Sequence, residues 1–422
     1  MLVKDNLDTG DRMMTSAGSL ALTHAPAPQD STVVARLREA GALLLGKTNL
    51  SEWANIRSPQ SSSGWSARGG QTVNPYRLDR SPSGSSSGSA AAVAANLCAF
   101  AIGTETDGSI VSPASVCGIV GLKPTVGAVS RAGIVPISAT QDTAGPMTRS
   151  VRDAARVMGA IAAYDPRDPA TLPMRGRVPD YTRFLDAAAL RGARIGVARG
   201  LWGPGGRGAA VMEESLAALR ALGADLVDPV ELPTVNAIGD HEITVLLYEL
   251  KAGLASYLAT RPDAPVRSIE DVIEFNRREA EREQPWFGQE FFERAAALGP
   301  LTDQAYMDAL ASCRRLSRQD GIDAALAKHR LDAIVAPTNN PAWPIDWVNG
   351  DHFVSGCSTL PAVAGYPHLT VPAGQVGGLP IGLSFFGPAW SEPRLLGFGY
   401  AFEQATRARR APEFLLPGAA LA

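Results

Sequence analysis

Histidine and cysteine are both scarce, with five histidines and four cysteines among 422 residues. The histidines are scattered and none accompanies a G-x-S-x-G sequence, so we do not expect a Ser-His-Asp hydrolase triad. The cysteines lack CxxC spacing, which predicts neither a zinc site nor a disulfide framework. They are Cys98, Cys117, Cys313 and Cys357.

The chain also lacks a strong charge excess and a long apolar run. Its net charge is −3, and no block of five or more Lys/Arg residues occurs, which argues against nucleic-acid binding. The most apolar stretch, residues 90–103, is shorter than the roughly 20 residues of a membrane-spanning helix. We interpret it as a buried helix. The start has no signal-peptide pattern, so the chain as written is expected in the cytoplasm, and a lost signal would imply a periplasmic or secreted protein.

Hydrophobic residues make up 45% of the chain and charged residues 19%, enough apolar material for a large folded core. Helical periodicity and short apolar runs alternate, which predicts an α/β fold with helices covering a large sheet. Helices are predicted over 31–42, 90–96, 151–163, 212–222, 242–257 and 268–283. Strands are predicted within 40–49, where we expect a short buried strand, and over 194–198, 223–232, 331–337, 368–371 and 379–386. Residues 56–87 are predicted to be a loop.

Two segments contain serines that are candidates for a hydrolase site. SPSGSSSGSAAAVAAN (81–96) contains Ser85, and GTETDGSIVSPAS (103–115) contains Ser109, 24 positions later. A Gly/Ser run alone is more typical of a flexible linker, and a lone Gly-Ser step is typical of a turn. Here the run leads directly into an Ala-rich helix, which a linker seldom does. The loop before Ser109 is also rich in small residues whose backbone N–H groups suit an oxyanion.

These segments and their surroundings resemble the amidase signature family. GSSSGSAAAVAAN, GTETDGSIVSPAS, GIVGLKPTVGAVSRAGIVPIS and QDTAGPMTRSV are its motifs nearly in full, within residues 4–147. The resemblance extends over essentially the whole chain and is weaker across 166–330. KTNLSEWAN and SGWSARGGQTVNPY are most similar to the bacterial peptide amidases of the family. The resemblance implies the amidase signature fold, a single domain over 1–422 with a large mixed central β-sheet covered by helices on both faces.

The resemblance also implies a Ser-cisSer-Lys triad, with Ser109 as nucleophile, Ser85 as bridging serine and Lys4 as base. Because a lysine accepts a proton only when neutral, Lys4 is expected to be buried, with its pKa lowered from about 10.4 to near 7. The Gly84–Ser85 peptide is expected to be cis. Oxyanion or substrate contacts are implied for Thr106, Asp107, Gly108 and Ala54.

The loop before the nucleophile departs from the family pattern at two positions. The commoner family loop reads TDTGGSIR, whereas this chain has Asp107 for the first glycine and Val111 for the arginine. Since Asp107 would act through its N–H, the oxyanion hole is expected to survive.

Four other side chains are candidates for the site. Asp5 and Asp142 are candidate acids, although buried structural hydrogen bonding is the favoured interpretation. Two tryptophans, Trp53 and Trp65, are candidates for lining the acyl pocket, with core packing as the alternative.

The implied activity is hydrolysis of a carboxamide, by resemblance a peptide C-terminal amide, to a carboxylate and ammonia through an acyl-enzyme, without metal or cofactor. The expected partner is a small-molecule or peptide amide substrate, with no nucleic acid and no membrane, and the protein is expected to be a monomer or homodimer. One alternative is the glutamine-hydrolysing subunit of a tRNA-dependent amidotransferase. Another is an inactive amidase-like binding protein. The peptide amidase-like segments argue against the first alternative, and the three filled triad positions argue against the second.

The family normally has a helical segment of several dozen residues before the lysine strand, and that segment is absent here. Its loss is expected to expose an apolar patch and to let water reach Lys4. Water would raise the pKa of Lys4 toward its free value. The chain as written is therefore expected to be poorly soluble or nearly inactive.

Overall fold

The computed structural model describes residues 1–203 and 207–418. Its main sheet has ten strands in the order β2-β1-β5-β7-β6-β11-β12-β10-β8-β9, and β3 and β4 form a separate hairpin. The strands are β1 Leu2–Lys4, β2 Gly46–Thr48, β3 Trp65–Ser66, β4 Gly70–Gln71, β5 Phe100–Glu105, β6 Val120–Lys123, β7 Thr143–Thr148, β8 Arg194–Val197, β9 Asp225–Val227, β10 Ala333–Pro337, β11 His368–Val376 and β12 Leu379–Phe386.

The sheet is mixed, as predicted. At one end β1 lies between β2 and β5 and is parallel to both. At the other end β8 lies between β9 and β10, again in parallel. The strands between these two groups pair in antiparallel fashion, from β5 with β7 through to β12 with β10. A parallel group therefore occupies each end of an antiparallel centre.

Thirteen α-helices of the described residues accompany the sheet. They are α1 Thr32–Glu39, α2 Ser87–Ala94, α3 Val111–Val116, α4 Val151–Ile161, α5 Arg207–Ala221, α6 Gly239–Ala259, α7 Ile269–Arg278, α8 Ala280–Glu283, α9 Glu290–Ala296, α10 Gln304–Arg314, α11 Asp323–His329, α12 Thr359–Ala364 and α13 Glu392–Thr406. Serine residues cap the N-termini of several helices. The side chains of Ser31 and Ser150 each accept a hydrogen bond from a backbone N–H in the first turn of α1 and α4 respectively. The predicted helices over 31–42 and 151–163 are confirmed.

Helices cover both faces of the sheet. Successive residues of a strand point to opposite faces, and β5 shows this directly. Ile102 packs in the cluster that contains Val34 of α1 and Met158 of α4. Its neighbour Ala101 packs in a different cluster, with Val93 of α2. The prediction of a large sheet covered on both faces is therefore confirmed.

Two predictions from apolar runs were wrong in part. The run within 40–49 is not a buried strand, because β2 is short and lies at the sheet edge, and Leu43 and Leu45 are 79% and 65% exposed. The stretch 90–103 is not one helix. Helix α2 ends at Ala94, the chain turns with Leu97 69% exposed, and β5 begins at Phe100. Short apolar runs do not distinguish helix from strand by periodicity alone.

The remaining strand predictions differ mainly in length. Most of 223–232 is not strand, since β9 has only three residues, whereas β11 is longer than the predicted 368–371. The four cysteines are buried and unbridged. Among the described helices, none combines the length and apolar character needed to cross a bilayer.

Candidate active site

Two adjacent parallel strands bring the candidate residues together. Lys4 is the last residue of β1, and the loop that contains Ser109 follows β5, so both lie at the same edge of the sheet. Ser85 lies two residues before α2, and the Lys4 Nζ to Ser85 Oγ distance is 2.7 Å. The N–H of Ser86 donates to the carbonyl oxygen of Ser109 at 3.1 Å, which ties the two serine segments together.

Lys4 has no exposed surface. Its ammonium group contacts Ser85 Oγ, Thr104 Oγ1 at 2.8 Å and the Thr104 carbonyl at 3.2 Å. Burial lowers the pKa of Lys4 to about 7, and the nearby carboxyl groups of Asp142 and Glu105 oppose that effect. The prediction of a buried lysine is confirmed, and the expectation that water reaches Lys4 is wrong.

The turn that presents Ser109 is held by a carboxylate that the sequence reasoning missed. Gly108 has φ +76°, a left-handed conformation that favours glycine, and the chain enters α3 two residues after Ser109. Oε2 of Glu105 accepts hydrogen bonds from the N–H groups of Ile110 at 2.7 Å and Val111 at 3.0 Å. An acidic residue just before the loop of small residues was the available signal.

Gly84 has no space for a side chain. A Cβ at this position would lie 2.9 Å from Asn55 Oδ1 and 3.1 Å from Ser63 Oγ, and still closer to Ser51 Oγ. The peptide between Gly84 and Ser85 is cis, as expected. Three side-chain oxygens therefore crowd the residue that precedes Ser85.

A cavity of about 460 Å³ opens beside Ser109. The predicted contact residues Thr106, Asp107, Gly108 and Ala54 all contribute to its walls, together with Gly84. Lys4 and Ser85 lie behind this wall and are both fully buried. The hydrogen bonds among described residues include none between the hydroxyl of Ser109 and Ser85. All seven predicted positions thus belong to one region, with the Lys4–Ser85 contact already formed.

The aromatic walls of the cavity differ from the prediction. Trp343, Phe353 and Phe291 line it. Trp53 and Trp65 do not line it: each is buried and packs edge-on against a phenylalanine, Phe292 at 5.4 Å and Phe287 at 5.3 Å respectively. Their assignment to the pocket was wrong, and the core alternative holds. A tryptophan in the Pro-rich segment NNPAWPIDW (339–347) was the signal for Trp343.

The two candidate acids have structural hydrogen bonds, as favoured. Asp142 accepts from Thr106 Oγ1 at 2.6 Å and from the N–H groups of Ile137 and Ser138 at 2.8 and 2.9 Å. Burial raises the pKa of Asp142 to about 6. Asp5 accepts from Ser16 Oγ and, at 2.7 Å, from Arg68. Asp142 therefore anchors the loop that lines the cavity.

Comparison with known proteins agrees with this geometry. Residues 1–396 match the family model described as Amidase. The solved structure of the native peptide amidase from Stenotrophomonas maltophilia is 57% identical, with a TM-score of 0.93, and the match covers 98% of this chain and 83% of that one.

Two curated relatives match over a similar span. A probable amidase of Arabidopsis thaliana is 42% identical over 424 residues, covering 98% of this chain and 78% of the relative. A glutamyl-tRNA(Gln) amidotransferase subunit of Heliobacterium modesticaldum is 37% identical, covering 96% and 82%. The chain therefore belongs to the amidase family and is a hydrolase that acts on carbon–nitrogen bonds of linear amides.

Proposed function

We propose that the protein hydrolyses a carboxamide through an acyl-enzyme on Ser109, with Ser85 and Lys4 as its proton relay. The observation that carries this proposal is the 2.7 Å contact between Lys4 Nζ and Ser85 Oγ, both fully buried, beside the cavity that Ser109 lines. A serine hydroxyl is a poor nucleophile until a neighbour removes its proton. A lysine with a pKa of about 7 is neutral in about half of the molecules at pH 7 and can accept that proton.

In the first step Ser109 Oγ attacks the carbonyl carbon of the amide. Its proton passes to Ser85, whose own proton passes to neutral Lys4. The carbonyl oxygen gains the negative charge, and backbone N–H groups of the loop at Thr106, Asp107 and Gly108 stabilise it. The carbon–nitrogen bond then breaks as the nitrogen takes a proton back through Ser85, which releases ammonia and leaves the acyl group esterified to Ser109.

In the second step a water molecule attacks the ester carbonyl, and the same relay takes its proton. The bond to Ser109 Oγ breaks, the serine recovers its proton and the carboxylic acid product ionises on release. Because Lys4 ends each half-reaction neutral, one lysine serves both acylation and deacylation.

The proposed substrate is the C-terminal amide of a peptide. The 57% identity to a peptide amidase supports this substrate class. The walls formed by Trp343, Phe353 and Phe291 also suit an apolar residue next to the amide. The second candidate is hydrolysis of glutamine, which the 37% identity to a glutamyl-tRNA(Gln) amidotransferase subunit supports.

Ammonia release separates these possibilities. We expect release from N-acetyl-phenylalaninamide and from longer amidated peptides, and little release from free glutamine. Ser109→Ala should abolish turnover, and a fluorophosphonate probe should label Ser109 in the parent chain. Thr359→Val, at a position that lines the same cavity and bears another hydroxyl, should retain labelling. Labelling of another residue, or turnover by Ser109→Ala, would remove Ser109 from the mechanism. Faster ammonia release from glutamine would favour the second candidate, and no ammonia release from any amide would favour an inactive binding protein.

A further inference from the structure

The mouth of the cavity beside Ser109 lies at two exposed residues. Of the residues that line this cavity in the described part of the chain, Pro59 and Phe353 are the exposed ones, and Phe353 is 51% exposed. The nucleophile lies at the buried end, since Ser109 is 8% exposed. A ligand therefore enters the cavity past Pro59 and Phe353.

The loop over residues 343–353 forms part of the cavity wall and also an exposed aromatic surface outside it. Trp343 and Phe353 line the cavity. Trp347 belongs to the same loop and is 39% exposed. Its ring stacks on that of Trp286, which is 42% exposed, with centroids 4.7 Å apart and ring planes inclined by 22°. We call Trp286 and Trp347 the tryptophan pair.

Hydrogen bonds hold the tryptophan pair beside the cavity. Nε1 of Trp347 donates to Oε1 of Gln71 at 2.9 Å, and Nε2 of Gln71 donates to the carbonyl oxygen of Ser63 at 3.0 Å. Ser63 lines the cavity, and its N–H donates to the carboxylate of Asp351 in the same wall at 3.1 Å. Two hydrogen bonds and one side-chain amide thus join the cavity wall to Trp347, which corresponds to about 8 Å at most.

Both tryptophans stand on firmly packed backbone. The residue after Trp286 is Phe287, which is buried and packs edge-on against Trp65 at 5.3 Å. The residue before Trp347 is Asp346, whose side chain accepts two backbone N–H groups of the turn that follows, each at 2.9 Å. Large aromatic rings that are fixed in place and still exposed to water are typical of binding surfaces.

The chemistry of an amidated peptide decides what passes this surface. The scissile amide is the C-terminal group of such a peptide, so every preceding residue lies on the acyl side and leaves the cavity through its mouth. An extended peptide advances about 3.3 Å per residue, so about three residues span a cavity of about 460 Å³. The fourth and fifth residues from the amide then lie outside the mouth, next to the tryptophan pair.

We propose that the tryptophan pair is a separate binding subsite, which takes an aromatic side chain four or five residues before the amidated end of a peptide. The subsite is continuous with the cavity through the loop that carries both Phe353 and Trp347. It gives longer peptides a second anchor that single amino acid amides are too short to reach. This inference rests on the proposed amidase function, and it concerns binding without adding a step to the chemistry.

The test moves one aromatic side chain along a peptide of constant length. The reference substrate is N-acetyl-Gly-Gly-Gly-Gly-Phe-amide, and in four further peptides tryptophan replaces one glycine at a time. Ammonia release gives kcat/KM for each peptide. Stacking and burial of an indole ring correspond to a gain of about 5- to 30-fold over the reference, and we expect the largest gain with tryptophan four or five residues from the amide.

Variants then assign the gain to the tryptophan pair. Trp286→Ala is the decisive variant, because it removes one ring and leaves the hydrogen bond from Trp347 to Gln71 in place. It should reduce the gain to below about 2-fold, and Trp347→Ala should do the same. Phe184→Ala is the matched control: Phe184 is 48% exposed and lines a different cavity, so the gain should stay at the parent value.

Binding to Ser109→Ala separates recognition from turnover. The dissociation constants of the five peptides, measured by calorimetry on this variant, should rank the peptides in the same order as kcat/KM does in the parent protein. Circular dichroism checks that each variant is folded, and light scattering gives its mass in solution.

The outcomes distinguish this inference from the proposed function. Equal kcat/KM for all five peptides, or a full gain in folded Trp286→Ala, overturns the subsite and leaves the amidase activity standing. A gain lost equally in Phe184→Ala overturns it as well, and a parent dimer that Trp286→Ala dissociates assigns the pair to a second copy of the chain instead. No ammonia release from any amide overturns the proposed function and the inference with it. A gain that peaks at the fourth or fifth residue, disappears in Trp286→Ala and persists in Phe184→Ala supports the subsite.

Discussion

The pH dependence of amide hydrolysis tests the proposed role of Lys4. Burial lowers the pKa of this lysine from 10.5 to about 7. At about 1.4 kcal/mol per pKa unit, this corresponds to roughly 5 kcal/mol disfavouring the charged form. The neutral fraction is then about one half at pH 7 and about 1% at pH 5, compared with about 1 in 3,000 at pH 7 for a lysine of ordinary pKa.

We therefore expect kcat/KM for an amidated peptide to reach a plateau above about pH 8 and to fall about tenfold per pH unit below about pH 6. The sign follows from the chemistry, because a protonated Lys4 accepts no proton from Ser85. The assay is ammonia release between pH 5 and 9, with substrate well below KM so that the profile reports the free enzyme.

Asp142 provides the decisive variant, because its own pKa of about 6 lies in the same range. Its negative charge raises the pKa of Lys4. In Asp142→Asn that charge is gone, so the acid limb should move to lower pH if Lys4 controls it. If Asp142 controlled the limb, the limb would vanish in this variant. A profile that is flat down to pH 5 in the parent protein, or a limb abolished by Asp142→Asn, would refute the reasoning about Lys4.

Three further expectations concern the surroundings of the site. Gly84→Ala places a Cβ against Asn55 and Ser63 and should lower the free energy of unfolding by about 1–3 kcal/mol and remove most of the activity. An unchanged free energy of unfolding would show that the surrounding side chains move to make room for the methyl group. Glu105→Ala leaves the N–H groups of Ile110 and Val111 without their acceptor and should lower kcat more than it raises KM, with a loss of about 2 kcal/mol or more of stability. Trp65→Ala should cost about 3–5 kcal/mol of stability because Trp65 packs against Phe287 and Arg57. Trp343→Ala should change the ranking of amide substrates with a smaller shift in Tm, because Trp343 lines the cavity. The reverse pattern would contradict the assignment of the cavity walls.

The sequence predicted which residues lie close together better than it predicted the shape of the pocket beside them. Ser85 and Ser109 lie in motifs that resemble those of the family, and the same resemblance assigns Lys4. The burial of Lys4 was expected because the implied base must be neutral. The aromatic walls have no such motif. Trp53 lies close to Ala54 along the chain but packs into the core, whereas Trp343 reaches the pocket from a segment nearly 300 residues away. Neighbouring side chains can point in different directions from the backbone, so a position next to a wall residue does not predict a position in the wall.

The secondary structure was also predicted well where the signal is local and poorly where it depends on distant contacts. Helices that begin with a serine cap were predicted close to their true bounds, because the cap is a local signal. The split of residues 90–103 into a helix and a strand was not predicted, since both parts are apolar and both are buried. Strand β5 is fixed by its pairing with β1 and β7, which are far away along the chain. Such pairing is a tertiary effect that overrides local composition.

The contact of Lys4 with Ser85 and Thr104 joins groups that are 81 and 100 residues apart in the chain. Contacts between residues so far apart form late in folding, because closing a large loop costs entropy before the contact can stabilise the chain. Helices form earlier because their hydrogen bonds join neighbouring residues. During refolding the helical circular dichroism signal should therefore recover ahead of amide hydrolysis. Hydrolysis per unit of regained helical signal then measures the fraction of molecules in which β1 has docked between β2 and β5. The enzyme's own turnover becomes a reporter for the assembly of one edge of its sheet.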